Sequence, residues 1–180
     1  MKKIFIMIMS VFFLAGCQSV PPLNFSVPNV GMSNHKIDAE LKSITVSLAR
    51  PDEQHGDIEA GMESVPMFWK SSLEESLNRM AIFRDDADKK VSLSVKVLAL
   101  NIPSSGFSFT TKTIASYELI DRNSGRILYS QIITSEGVVP VDYAFLGLVR
   151  ARESINRSIQ NNISHFLSDL SSLNINEVKY

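Results

Sequence analysis

Apolar and polar residues alternate along several stretches of this chain, and each alternation predicts a strand with one buried face. From Glu40 to Ala49, Ile44, Val46 and Leu48 fall on one side, and Ser43, Thr45 and Ser47 on the other. Val91, Leu93, Val95, Val97 and Ala99 repeat the pattern against Ser92, Ser94 and Lys96. Phe107, Phe109, Ala115 and Tyr117 repeat it again, against Ser108, Thr110, Lys112 and Ser116. A fourth strand, Ile127 to Val138, carries Leu128, Tyr129, Ile132 and Ile133 on both of its faces. Between the first two strands the period becomes helical: Trp69, Leu73, Leu77 and Met80 mark one face of a helix that Ser64 and Pro66 start and that ends near Phe83. A longer helix from Val149 to Leu173 carries Ala151, Ile155, Ile159, Ile163, Phe166 and Leu170 as one stripe, with Glu153 and Arg157 four apart on its polar side. Pro103 within Asn101 to Gly106, and the run Asp121-Arg122-Asn123-Ser124-Gly125, are turn signals between strands.

The order β-α-β-β-β-α predicts an α+β fold. Its expected form is a two-layer sandwich, a four-stranded, largely antiparallel sheet with two helices on one face. The last helix would run ~37 Å and a ten-residue strand ~33 Å, so that helix is long enough to cover the sheet. Trp69, Leu73, Val95, Val97, Ile155, Ile159 and Phe166 are then expected in one core. Two helices cover only one sheet face, which leaves Ser43, Thr45, Ser47, Ser94, Lys96, Thr110, Lys112 and Ser116 to line the other. Leu98, Leu100 and Ile114 share the parity of that face and are expected as exposed apolar residues on it. Lys96, Leu98, Leu100, Lys112 and Ile114 therefore form the candidate interaction surface.

The beginning of the chain obeys a different pattern. Lys2 and Lys3 precede an apolar run from Ile4 to Ala15, broken only by Ser10, which reads as a secretory signal. A spanning helix needs about 20 apolar residues, and this run is shorter. Leu14-Ala15-Gly16-Cys17 resembles the lipobox of bacterial lipoproteins. The resemblance implies cleavage before Cys17, a diacylglycerol on its sulfur and an acyl chain on its new amino group. It also implies sorting to the outer membrane, because Gln18 rather than an aspartate follows the cysteine. Pro21, Pro22 and Pro28 lie among Ser, Asn and Gly between Gln18 and Asp38, a composition expected of a flexible tether. The expected divisions are a signal peptide at 1–16, the lipidated cysteine and tether at 17–38, and a single α+β domain at 39–180.

Removal of the signal leaves 164 of the 180 residues, enough for one domain with a real core. The signal takes two of the 18 basic residues and none of the 19 acidic ones, so the mature net charge is −3. Nucleic acid, which selects a basic face, is not an expected partner. With Cys17 the sole cysteine, no internal disulfide can form. Candidate chemistry is sparse. Three histidines occur, His35 in the tether, His55 between strand and helix, and His165 on the last helix, and none sits in a catalytic motif. His55 among Asp52, Glu53, Asp57 and Glu59 is the best candidate enzyme site, but it lacks the fixed spacing of a metal centre. No catalytic residue, metal or cofactor is expected.

The lipobox, the proline-bearing segment and the element order together resemble small periplasm-facing lipoproteins. These include the YajG-type proteins, the plug lipoprotein of the lipopolysaccharide-assembly machine and the auxiliary lipoproteins of lipid-transporting ABC systems. Only Cys17 can be carried over as a motif residue. The resemblance implies an outer-membrane lipoprotein with its domain in the periplasm, a binding or accessory subunit partnered by the membrane and by an envelope protein or lipid. The alternative is an envelope enzyme, for example an acyltransferase. One such enzyme, which acts on a UDP-sugar, resembles a left-handed β-helix, whose six-residue repeat is absent here.

Overall fold

The computed structural model describes residues 19–173, so Cys17 and the lipobox lie outside the described residues. The elements follow the expected order: β1 (Glu40–Leu48), α1 (Val65–Met80), β2 (Lys90–Asn101), β3 (Phe109–Asp121), β4 (Ile127–Val139) and α2 (Gly147–Ser172). A single turn of 3-10 helix, Val141–Tyr143, leads from β4 into α2. The sheet order is β1-β2-β3-β4, with β1 parallel to β2 and the other pairs antiparallel. One parallel pair is the consequence of α1, which crosses between β1 and β2 and returns the chain to the end where β1 began.

Both helices pack on the same sheet face, α1 over β1 and α2 over β3 and β4. All seven residues expected in the core are there. The α1 helix stops at Met80, ahead of Phe83, because Ala81 takes a left-handed conformation (φ 45°) and its N–H closes on the carbonyls of Leu77 and Asn78. At the centre an aromatic chain runs from Phe25 to Trp69 (ring centroids 6.4 Å), from Trp69 to Tyr117 (6.4 Å) and from Tyr117 to Phe166, stacked at 4.3 Å.

Beside the apolar stripe of α2 lies a buried polar seam. Ser154 meets Thr111 at 2.7 Å, and Ser158 meets Thr113 at 2.6 Å. The Tyr117 hydroxyl donates to Asn162 Oδ1 at 2.9 Å, and Asn162 Nδ2 donates to Ile133 O and Ser135 Oγ. Each buried polar group on the seam thereby finds a partner, which is the condition for burying it without a large penalty. Gly137 lets the helix come this close: a Cβ there would lie 2.2 Å from Ser154 O.

Three expectations are corrected. The segment expected as a flexible tether packs along the helices from Pro22 onward. Phe25 and Ile37 are 1% exposed, Asn24 N donates to Asn156 Oδ1 at 3.0 Å, and Ile37 N donates to Ile82 O at 2.8 Å. Its isolated apolar residues, lacking any period, plug gaps that the two helices leave. Phe107 does not belong to β3, which starts at Phe109; it stands on the preceding loop, 87% exposed. Leu98 and Leu100 are not exposed: the loop after β1 lies against Leu98, and a bulge in β2 between Val97 and Ala99 turns Leu100 inward. Val97 pairs with Ala115 and Ala99 with Ile114, so Leu98 is the extra residue and Leu100 falls to the core face opposite Thr113.

Candidate functional site

The sheet face away from the helices is lined by short polar side chains, as the alternation requires, and the loop after β1 folds back over part of it. His55 N donates to Leu98 O (3.0 Å), and Leu100 N donates to Asp57 O (2.7 Å). Asp57 N donates to Asn101 Oδ1 at 2.7 Å. Gly56 permits this approach, since a Cβ at that position would stand 2.9 Å from the Asn101 side chain. The fold-back leaves a groove of about 300 Å³ between loop and sheet, with Leu98 and Ile132 as its apolar lining and Glu53, His55, Lys96 and Glu118 as polar lining.

Lys96 Nζ donates to Glu53 Oε1 at 2.7 Å, while Arg50 Nη2 reaches the same oxygen at 3.1 Å and Arg50 N reaches Oε2 at 3.1 Å. The hydrogen bond from Lys96, followed by that from the Arg50 backbone, holds the Glu53 carboxyl below its ordinary range. A carboxylate so stabilised is a poor general base, and the geometry ties it to structure instead. Among the described residues, no group of three or more His, Cys, Asp or Glu side chains is placed to hold a metal ion. His35 lies far from His55 in the fold, its Nε2 2.9 Å from Leu173 O at the end of α2, and His165 is exposed on α2.

Of the candidate surface residues, the structure brings Lys96 and Leu98 together in the groove. Ile114 and Lys112 continue the same face, paired across β3 and β4 with Thr134 and Glu136. Leu100 is removed to the core by the bulge. Two residues that sequence reasoning missed join the face: Ile132 (55% exposed) and Val138 (52% exposed), which pair with Ser116 and Thr110. Their signal was the β3 register, because each stands opposite a residue already placed on the open face.

The chain matches no protein-family model, and no curated protein matches it. Solved structures do share its fold. Protein XCC0632 from Xanthomonas campestris, assigned to the family DUF330, is similar with a TM-score of 0.51 at 10% identity, over 82% of this chain and 93% of that one. The PelC dodecamer subunit from Paraburkholderia phytofirmans is similar with a TM-score of 0.50 at 16% identity, over 79% and 95% of the two chains. A minor lipoprotein from Acinetobacter baumannii reaches 0.44 at 11% identity, over 73% and 93%. At these identities the likeness to the first two is one of fold alone.

Proposed function

We propose that this protein is an acylated outer-membrane lipoprotein whose periplasmic domain binds an envelope protein through its open sheet face. The observation that carries the binding role is the composition of that face. Half-buried Ile114 and exposed Ile132 and Val138 stand among polar side chains on the sheet face that neither helix covers, beside a groove lined by Leu98 and the Lys96–Glu53 pair. Scattered apolar residues inside a polar field, with a charged pair at the margin, are what a modest protein-binding surface presents. The anchor rests on Leu14-Ala15-Gly16-Cys17 behind Lys2, Lys3 and the apolar run. Three acyl chains would hold the protein effectively irreversibly, at ~0.8 kcal/mol for each buried methylene.

Photo-crosslinkers at Lys112 and Ile132 in living cells test the binding role, with Glu74 on α1 and His165 on α2 as exposed references. Adducts to one partner from the sheet positions alone are expected. Adducts from the helix positions alone would overturn the assignment of the face. Mass spectrometry of the mature N-terminus tests the anchor separately, since an unmodified Cys17 would remove it.

A further inference from the structure

The two ends of the sandwich differ in character. At one end the chain turns through Arg84, Asp85 and Asp86, and again through Arg122 to Arg126, all exposed and nearly all polar. At the other end Phe107 is 87% exposed, Phe145 92% and Leu148 64%, with Val141, Tyr143 and Leu146 between 42% and 53%. These six belong to one end because β2 stops at Asn101, β3 begins at Phe109 paired with Val139, and α2 begins at Gly147. Ile102, Phe109, Gly147 and Leu148 line a single groove there, of about 430 Å³.

The loop carrying Phe145 is fixed from beneath. Arg150, only 8% exposed, donates from Nη1 to Ala144 O at 2.6 Å and to Phe145 O at 3.1 Å, and its guanidinium lies 5.3 Å from the centre of the Phe109 ring. A loop tied by a buried cation displays Phe145 rather than letting it fold inward.

The described part of the N-terminal segment approaches the same end. From Pro22 to His35 the chain follows α2 toward its C-terminus: Asn156 Nδ2 donates to Pro22 O, Gln160 Nε2 to Asn24 O, and His35 lies against Leu173 O. Traced backwards, the chain therefore heads for the first turn of α2. Asn156 stands nine residues past Gly147, which is ~14 Å of helix, and the five residues from Pro22 back to Cys17 reach at most ~18 Å. That reach is enough to bring a lipid attached at Cys17 to Leu148 and Phe145.

We infer that the end bearing Phe107, Phe145 and Leu148 docks on the lipid surface to which Cys17 is anchored. This rests on the reading that Cys17 is acylated. The occupant is a bilayer surface because a lipid on Cys17 can reach this end from Pro22, whereas the far end of α2, ~24 Å beyond Asn156, lies outside that reach. The strands then stand steeply on the membrane, and the open sheet face looks sideways along it.

The test uses the full acylated protein in phosphatidylethanolamine–phosphatidylglycerol vesicles. Nitroxide labels are placed at Phe107→Cys, Phe145→Cys or Asp86→Cys, the native Cys17 being blocked by its lipid. Collisions with oxygen and with a water-soluble nickel chelate report depth. Labels at 107 and 145 are expected to show a severalfold higher oxygen-to-nickel ratio than the label at 86. Equal ratios on protein that stays vesicle-bound would overturn the docking and leave the anchor intact. Protein that does not bind vesicles and carries no acyl mass would overturn both. Dipolar broadening between copies at 145, with no gain in oxygen access, would show that a second copy covers this end and would overturn the lipid assignment.

Discussion

Replacing Gly137 with alanine should test the packing of α2 more sharply than any change to its apolar stripe. The added Cβ would stand 2.2 Å from Ser154 O and 2.3 Å from Ser158 N, both of them helix backbone, where ordinary contact starts at 3.4 Å. Neither atom can rotate away, so the helix must retreat by about 1 Å in an interior that packs like a crystal. That retreat stretches the Thr111–Ser154, Thr113–Ser158 and Ser135–Ser158 bonds, now 2.7, 2.6 and 2.9 Å, beyond hydrogen-bonding length. Overpacking costs about 1–3 kcal/mol, and a buried polar group left without its partner about 1–3 more. With partial relaxation the expected loss is about 3–5 kcal/mol, a large share of the ~5–15 that holds a typical domain together. In thermal unfolding of the purified mature protein this corresponds to a drop of roughly 6–20 °C, at about 2–4 °C per kcal/mol for a chain of this size. Gly31→Ala is the control, because nothing lies within 4 Å of its added Cβ. If Gly137→Ala unfolds within about 1 kcal/mol of the parent, the close approach of α2 to β4 is wrong.

In a double-mutant cycle, Thr113→Val and Ser158→Ala should each destabilise by about 1–3 kcal/mol and together by clearly less than their sum; additive losses in urea unfolding would separate the two hydroxyls. The Glu53 carboxyl should titrate below its ordinary value of 4.5 in NMR, and Lys96→Met should move it upward by removing the leading cause. Because the folded pKa is depressed, the Glu53 contribution to stability is present above the unfolded value and fades as pH falls through the folded one. Burial pushes the Tyr117 phenol well above its ordinary value. Unfolded phenols ionise near pH ~10, so stability should fall above that pH, and Tyr117 should remain neutral in ultraviolet titration until the fold is lost; ionisation while the fold is intact would contradict its burial. Leu73→Ala, at a site with no exposed surface, should cost about 2–5 kcal/mol; an unchanged melting temperature would displace α1 from the core.

Much of this fold is legible in the sequence because its strands carry β-branched and small polar residues in strict alternation. The boundaries of β1 and α2 fall within two residues of those the pattern predicts. What the pattern hides has definite physical causes. Residues 97–100 are all apolar and all buried, so alternation alone could not reveal that one of them is surplus to the ladder. The seam of Ser154, Ser158 and Asn162 looks like a solvent-facing stripe, since hydroxyls and amides are usually exposed. Its signal was the matching set on the sheet: Thr111 and Thr113 at alternate positions and Gly137 on the neighbouring strand. The packed segment 22–39 escaped notice because Phe25, Val27 and Ile37 follow no period; only burial against Trp69 and Met80 gives them order. The open face was half legible. Lys96, Lys112 and Ile114 follow from parity, whereas Ile132 and Val138 belong to a strand whose apolar residues point both ways.

The bulge in β2 has a consequence for how this chain can change length. Leu98 and Ala99 both stand on the open side, between Val97 and Leu100 on the core side. Losing Leu98 would restore plain alternation, with every remaining side chain of β2 still on its own face. Losing a residue elsewhere in the strand, at Leu93 for example, would turn one whole half of it inside out. The centre of the sheet thus holds one place where a strand can shorten without scrambling the core. That place is also the apolar lining of the open-face groove, so the groove can deepen or vanish by a single-residue deletion while the sandwich around it stays the same.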